Sequence, residues 1–104
     1  MPEFVNPFTG MAPDRKLTDR ELVRAIRMAL AAEEEAIHMY EAMADASDNG
    51  LAAKVLQDVA DEERIHAGEF QELLRILLPD EQPLLQHGTD EVQEMARDKQ
   101  EHTG

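Results

Sequence analysis

Cysteine is absent from the 104-residue chain, which removes disulfides, thiolate zinc sites, iron–sulfur clusters and rubredoxin-type iron centres from consideration. Any metal would have to be held by histidine and carboxylate. Positive charge is scarce too: 10 Lys plus Arg stand against 23 Asp plus Glu, a formal net charge of −13. That balance argues against nucleic acid as a main partner, because phosphate binding needs clustered cations to release counterions. It suits cation binding and solubility instead. Long apolar runs are missing as well. None approaches the roughly 20 residues of a membrane span, and the N-terminus has no basic stretch followed by an apolar segment. The expectation is a cytosolic protein without a membrane partner, made of one small domain.

Organisation follows from punctuation. Residues 1–17 contain Pro2, Pro7, Pro13 and Gly10 and read as an irregular N-terminal arm carrying Phe4, Val5 and Phe8. Thr18-Asp-Arg-Glu21 has capping-box form, so a first helix starts here and runs to about Ala46. Ser47-Asp-Asn-Gly50 is a turn cluster that folds a second helix back antiparallel, as far as Pro79. Residues 18–79 thus form an all-α, two-helix hairpin, and 80–104 a loop, a short C-terminal helix over about 89–99 and a polar tail. Each long helix spans about 28 residues, hence about 42 Å, more apolar edge than a lone hairpin covers. Pairing two hairpins into a four-helix bundle is the simplest way to bury the rest.

A helical wheel locates the chemistry. With Glu33 at zero, Leu22, Ile26, Ala29, Leu30, Ala36, Ile37, Tyr40 and Ala44 all lie within about 60° of it. The second helix repeats the pattern around Glu63, with Leu56, Val59, Ala60, His66, Ala67, Phe70 and Leu74 inside the same arc. Two carboxylates and an imidazole therefore sit in apolar stripes, where an unpartnered acid costs several kcal/mol. Arg27, Lys54 and Arg64 point elsewhere on the wheel, so an intrachain salt bridge is not the explanation. Glu63-Arg-Ile-His66 is Glu-x-x-His, which puts an oxygen and a nitrogen ligand one turn apart on one face. Carboxylate-bridged di-iron bundles use one Glu from each of two helices and Glu-x-x-His from each of the other two. Glu33, Glu63 and His66 are half of that set, so two copies about a two-fold axis complete both the core and the site.

Neighbouring acids and histidines fit less well. Tyr40, two turns after Glu33 on the same face, is either a core tyrosine or a hydroxyl that bonds a ligand or donates an electron. Glu62 falls to the rim, near 100° from the stripe centre, and the second Glu-x-x-His, Glu35 with His38, lies about 140° or more away. That pair reads as a surface or metal-access site. Glu34 and Glu41 read as solvated faces, and His87 and His102 carry no geometric argument.

From Glu33 to His66, the run Glu-Glu-Glu-Ala-Ile-His-Met-Tyr, a spacer, then Asp-Glu-Glu-Arg-Ile-His-Ala resembles the rubrerythrin branch of the ferritin-like superfamily. It is most similar to the encapsulated ferritins, one-hairpin relatives carried inside encapsulin nanocompartments. The resemblance covers residues 18 to 79. It implies that Glu33, Glu63 and His66 are ferroxidase ligands with Tyr40 beside them, that two subunits share the di-iron centre, and that dimers build an annular decamer helped by the C-terminal helix. There are departures: Ala32 removes one carboxylate of the iron-access pair found in some relatives, and Asp98–Gly104 shows no Leu- and Gly-containing localisation peptide. Targeting then falls to the Phe4–Phe8 arm, to a shell fusion, or to residues lost by truncation.

The function this implies is oxidation of Fe(II) to Fe(III) by O₂ at a di-iron site between subunits, feeding iron storage in an encapsulin compartment in the cytoplasm. Partners would be a second copy, further copies up to a decamer, the encapsulin shell and iron. Two alternatives stand beside it. One is a rubrerythrin-like peroxidase on the same ligands, which lacks the usual rubredoxin donor without cysteine. The other is a non-catalytic helical assembly or adaptor module whose buried acids pair across an interface.

Overall fold

The computed structural model describes residues 15–103. The Phe4–Phe8 arm and the side chain of His102 lie outside the described residues. Helix α1 spans Asp19–Ala46, α2 spans Gly50–Leu77, a 3₁₀ turn covers Pro79–Glu81 and α3 spans Gln82–Thr103, with no strand among the described residues. None of these helices is long and apolar enough to cross a membrane.

Helix α1 begins where local chemistry dictates. Thr18 is extended at φ −71°, ψ 163°, its hydroxyl accepts from the Glu21 N–H at 3.1 Å, and the Glu21 carboxylate accepts from the Thr18 N–H at 2.9 Å. The box thereby satisfies donors that a helix start leaves orphaned. The Arg15 guanidinium closes on the same carboxylate with bonds of 2.8 and 2.9 Å. At the other end Ser47 leaves the helix at φ −89°, ψ 131°. Asn49 then caps α2, its side-chain oxygen accepting from the Ala52 N–H at 3.0 Å, so the reversal takes only the three residues between the helices.

Contact geometry settles into two compact units, Met1–Leu74 and Arg75–Gly104. In the first, the buried residues are Ile26, Ala60 and Ala67, at 6%, 0% and 4% exposure. All three belong to the stripes drawn from the sequence, and Leu30, Ile37, Tyr40, Leu56, Val59, Phe70 and Leu74 are half-buried around them. Alanine at the contact lets helices approach toward the lower end of the usual 8–10 Å range. Such a core is thin, and Met39, Met43, Leu51, Val55, Ile65 and Leu73 remain exposed.

In the second unit the expected loop over 80–88 is helical, and the expected short helix over 89–99 is the 22-residue α3. Pro83 and Gly88 had pointed to a loop. Yet a proline in a helix's first turn lacks only an N–H that has no intrahelical partner anyway, and Pro83 is the second residue of α3. Gly88 in mid-helix costs about 1 kcal/mol relative to alanine, and pairs four residues apart offset it: Gln86 donates to Asp90 at 2.9 Å and His87 stands 2.9 Å from Glu91. Every described side chain from Pro83 to Lys99 is exposed.

Candidate metal centre

Antiparallel pairing sets the middle of α1 against the middle of α2, and there the structure brings together Glu33, Glu63 and His66. Each offers one ligand atom, and these atoms lie within 4.8 Å of one another. His66 Nδ1 is 3.6 Å from Glu63 Oε2 and 3.8 Å from Glu33 Oε2. Both separations exceed a hydrogen bond. Metal–ligand bonds near 2 Å put neighbouring donors of one coordination sphere roughly 3–4 Å apart, the range in which both His66–carboxylate separations fall.

Burial sharpens the case. The Glu33 and Glu63 side chains are each 21% exposed and that of His66 is 47% exposed, so the group is sheltered on the carboxylate side and open on the imidazole side. Glu33 Oε2 is buried and has no hydrogen-bond partner. Leaving such an acceptor unsatisfied costs about 1–3 kcal/mol, more for a charge, and a bound cation removes that cost. Two carboxylates and an imidazole are a fitting donor set for iron, manganese or zinc.

The remaining candidates divide clearly. Tyr40 is half-buried on α1, seven residues and about 10 Å along the axis from Glu33, outside the three-residue cluster. Glu35, His38 and Glu62 are exposed and join no such group among the described residues. His87 pairs with Glu91 on α3.

Glu41 corrects the sequence reading. Its side chain is 37% exposed, as a solvated face would be, but it has a partner that reading did not assign: its Oε1 accepts from Arg64 Nη2 across the hairpin, while Arg64 Nη1 donates to Asp61 at 2.9 Å. The signal for this was present: Glu41 and Arg64 sit about 80° and 100° from their stripe centres, flanking positions where opposite charges on packed helices meet.

Comparison with known proteins adds the following. The family model described as rubrerythrin matches residues 24–104. The chain is 49% identical over 81 residues to the encapsulin nanocompartment cargo protein EncC of Myxococcus xanthus, covering 78% of this chain and 61% of EncC. It is 42% identical over 91 residues to the ferritin-like–encapsulin shell fusion protein of Pyrococcus furiosus, covering 88% of this chain and 26% of the fusion. The chain thus spans less than two thirds of the length of both curated relatives. Among solved structures, the crystal structure of the encapsulated ferritin domain from Pyrococcus furiosus superimposes with a TM-score of 0.77 at 42% identity, covering 88% of this chain and 92% of that one.

Proposed function

This chain belongs to the rubrerythrin family of ferritin-like proteins, and we propose that it is the half-site subunit of a ferroxidase that oxidises Fe(II) to Fe(III) with O₂. The observation that carries the reading is the convergence of Glu33, Glu63 and His66 on one point, with a buried and unpartnered oxygen on Glu33. Iron is the substrate here: two Fe(II) give up one electron each, and one O₂ accepts both and leaves, with two protons from solvent, as hydrogen peroxide.

The residues have separable tasks. Glu33 and Glu63 neutralise the ion and, as carboxylates, bind through one oxygen or two as the charge on iron changes. His66 supplies a neutral nitrogen donor, and its exposed side leaves access for metal and oxidant. Three donors from one chain hold one ion with open positions and do not by themselves make a two-iron centre. A second copy about a two-fold axis brings the set to four Glu and two His, the complement of di-iron bundles. The exposed apolar side chains of the hairpin, Met39, Met43, Leu51 and Val55 among them, favour the same dimer because they need cover. Five such dimers would form the decamer that the resemblance implies. Tyr40, two turns from Glu33, is assigned the flanking role of bonding a ligating carboxylate or donating an electron.

The relatives' names support the setting. They are cargo or a shell fusion of encapsulins, which supports a site of action inside an encapsulin nanocompartment in the cytoplasm, with the shell protein as partner. An open ring could not retain mineral, so a separate container is the natural receiver of the Fe(III) produced.

Native mass spectrometry of the chain, titrated anaerobically with Fe(II) and then exposed to air, tests the proposal. Two irons per pair of chains, in even oligomers alone, is the expected result. Glu33→Ala should lower the oxidation rate at least about 100-fold, beyond the 10–100-fold typical of residues outside the ligand sphere, with far-UV circular dichroism unchanged. Full activity in a monomer, or in Glu33→Ala, would sink the assignment.

A further inference from the structure

One cation beside the candidate metal centre is not used by it. Arg64 follows Glu63 directly in α2, yet its guanidinium turns away: Nη2 donates to Glu41 on α1, and Nη1 donates to Asp61 on its own helix at 2.9 Å. Asp61 is held in turn, accepting from Gln57 Nε2 at 3.2 Å. A planar fork that engages both helices, and whose own anchor is fixed, is a geometric constraint as well as a charge pair.

Such a constraint is needed at this place in the hairpin. The buried residues of the hairpin are Ile26, Ala60 and Ala67, the larger side chains around them are only half-buried, and alanine has no long knob to lock into a facing hole. Smooth contacts bring helices close but resist sliding and turning poorly. A slip of one residue is about 1.5 Å along the axis and about 100° around it. That is enough to carry Glu33 away from its 3.8 Å approach to His66. The Arg64 and Glu41 side chains are 48% and 37% exposed, so their pairing adds little to global stability. Its effect is on where α1 stands relative to α2.

We infer that Arg64 is a positioning residue: pinned by Asp61 and reaching across to Glu41, it sets the register of α1 against α2 and thereby holds Glu33 opposite Glu63 and His66. This rests on the metal-binding reading of those three residues. Simple electrostatics makes the opposite prediction, because removing a positive charge near a cation site strengthens cation binding.

The test uses Co(II) alone as the probe, with binding to the full chain followed by its visible absorption. Arg64→Gln and Glu41→Gln should each weaken Co(II) binding by about tenfold and alter the visible spectrum. The double variant should be no weaker than either single one, because both remove the same clamp. Arg64→Lys should recover part of the loss, since an ammonium reaches one carboxylate but not both in the fork geometry. Tighter or unchanged binding in Arg64→Gln, or additive losses in the double variant, would overturn the inference. Circular dichroism checks that each variant is folded. A metal-independent measurement separates this inference from the reading beneath it: nitroxides at exposed positions 34 and 69, diluted with unlabelled chain, should give a narrow α1–α2 distance distribution that broadens in Arg64→Gln. An unchanged distribution refutes the positioning role whatever Co(II) does. Co(II) binding that Glu33→Ala leaves intact refutes the metal site instead.

Discussion

The hairpin and α3 are both helical, but they are held by different things. In α1 and α2 the helices meet along stripes centred on Glu33 and Glu63, with Ala60 and Ala67 buried at the contact. In α3 every described side chain from Pro83 to Lys99 is exposed, and the contacts that steady it are local, Gln86 with Asp90 and His87 with Glu91. A helix kept by packing against another helix tolerates a charged group in its stripe if that group has a later partner. One kept by local pairs carries its charge on the surface, where ionic contributions are a few tenths of a kcal/mol. The chemistry is accordingly concentrated in the hairpin, and the difference can be broken or sharpened by experiment.

The largest effect expected is from metal. If Glu33, Glu63 and His66 bind Fe(II) or Co(II), metal at about 100 times its dissociation constant stabilises the folded hairpin by roughly 2.7 kcal/mol. Amide exchange should slow in α1 and α2 around residues 30–40 and 59–70, and Glu33→Ala should lose that protection. Equal protection throughout α3 would mean that the two regions are not separable in this way.

Next is Ala60→Leu. Ala60 is fully buried, and adding three carbons there forces the helices apart at a cost of about 1–3 kcal/mol. Thermal unfolding should fall accordingly, and metal binding should weaken with it because Glu63 lies one turn further along α2. A variant that melts like the parent would show that the alanine contact is looser than it looks.

Smaller again is Gly88→Ala in α3. An added Cβ at Gly88 meets nothing within 4 Å, so the only change is helix propensity, a gain of about 1 kcal/mol. Exchange should slow locally in α3 while the hairpin and Fe(II) oxidation stay as they were. Lower stability would reveal a close neighbour at Gly88, supplied by another copy of the chain.

Much of the molecule was legible in the sequence because much of it is decided locally. Thr18 and Glu21 announce the start of α1, Ser47 to Gly50 the reversal, and a carboxylate inside an apolar stripe announces itself by being out of place. The start of α3 was not legible, for Pro83 and Gly88 are breakers in general but not at the positions they occupy here. The Arg64–Glu41 pair was legible only in part: a wheel puts both residues on the flanks of their stripes, but which flanking residues meet depends on how far one helix is displaced along another.

The first turn of α1 gives the smallest effect and the finest comparison, since it belongs to the hairpin by sequence yet is held by local contacts, as α3 is. The Arg15 guanidinium, followed by the Thr18 N–H, holds the Glu21 carboxyl well below its ordinary 4.5, at about 2. A carboxyl whose folded value is depressed contributes stability above its unfolded value, and loses that contribution as the pH falls toward the folded value. The support for the capping box is therefore fully present above about pH 4.5 and fades between there and pH 2. The Arg15 and Glu21 side chains are 60% and 30% exposed, so salt screens the pair and the change is confined to the first turn. Carbon chemical shifts of residues 18–22 followed from pH 6 to pH 2 should report the loss, with the Glu21 carboxyl itself titrating near 2. Arg15→Ala should return that midpoint toward 4.5 while the shifts around Glu33 and Glu63 do not respond to the substitution. A Glu21 midpoint near 4.5 in the unaltered chain would mean that Arg15 does not hold the cap, leaving the capping box alone to start the helix.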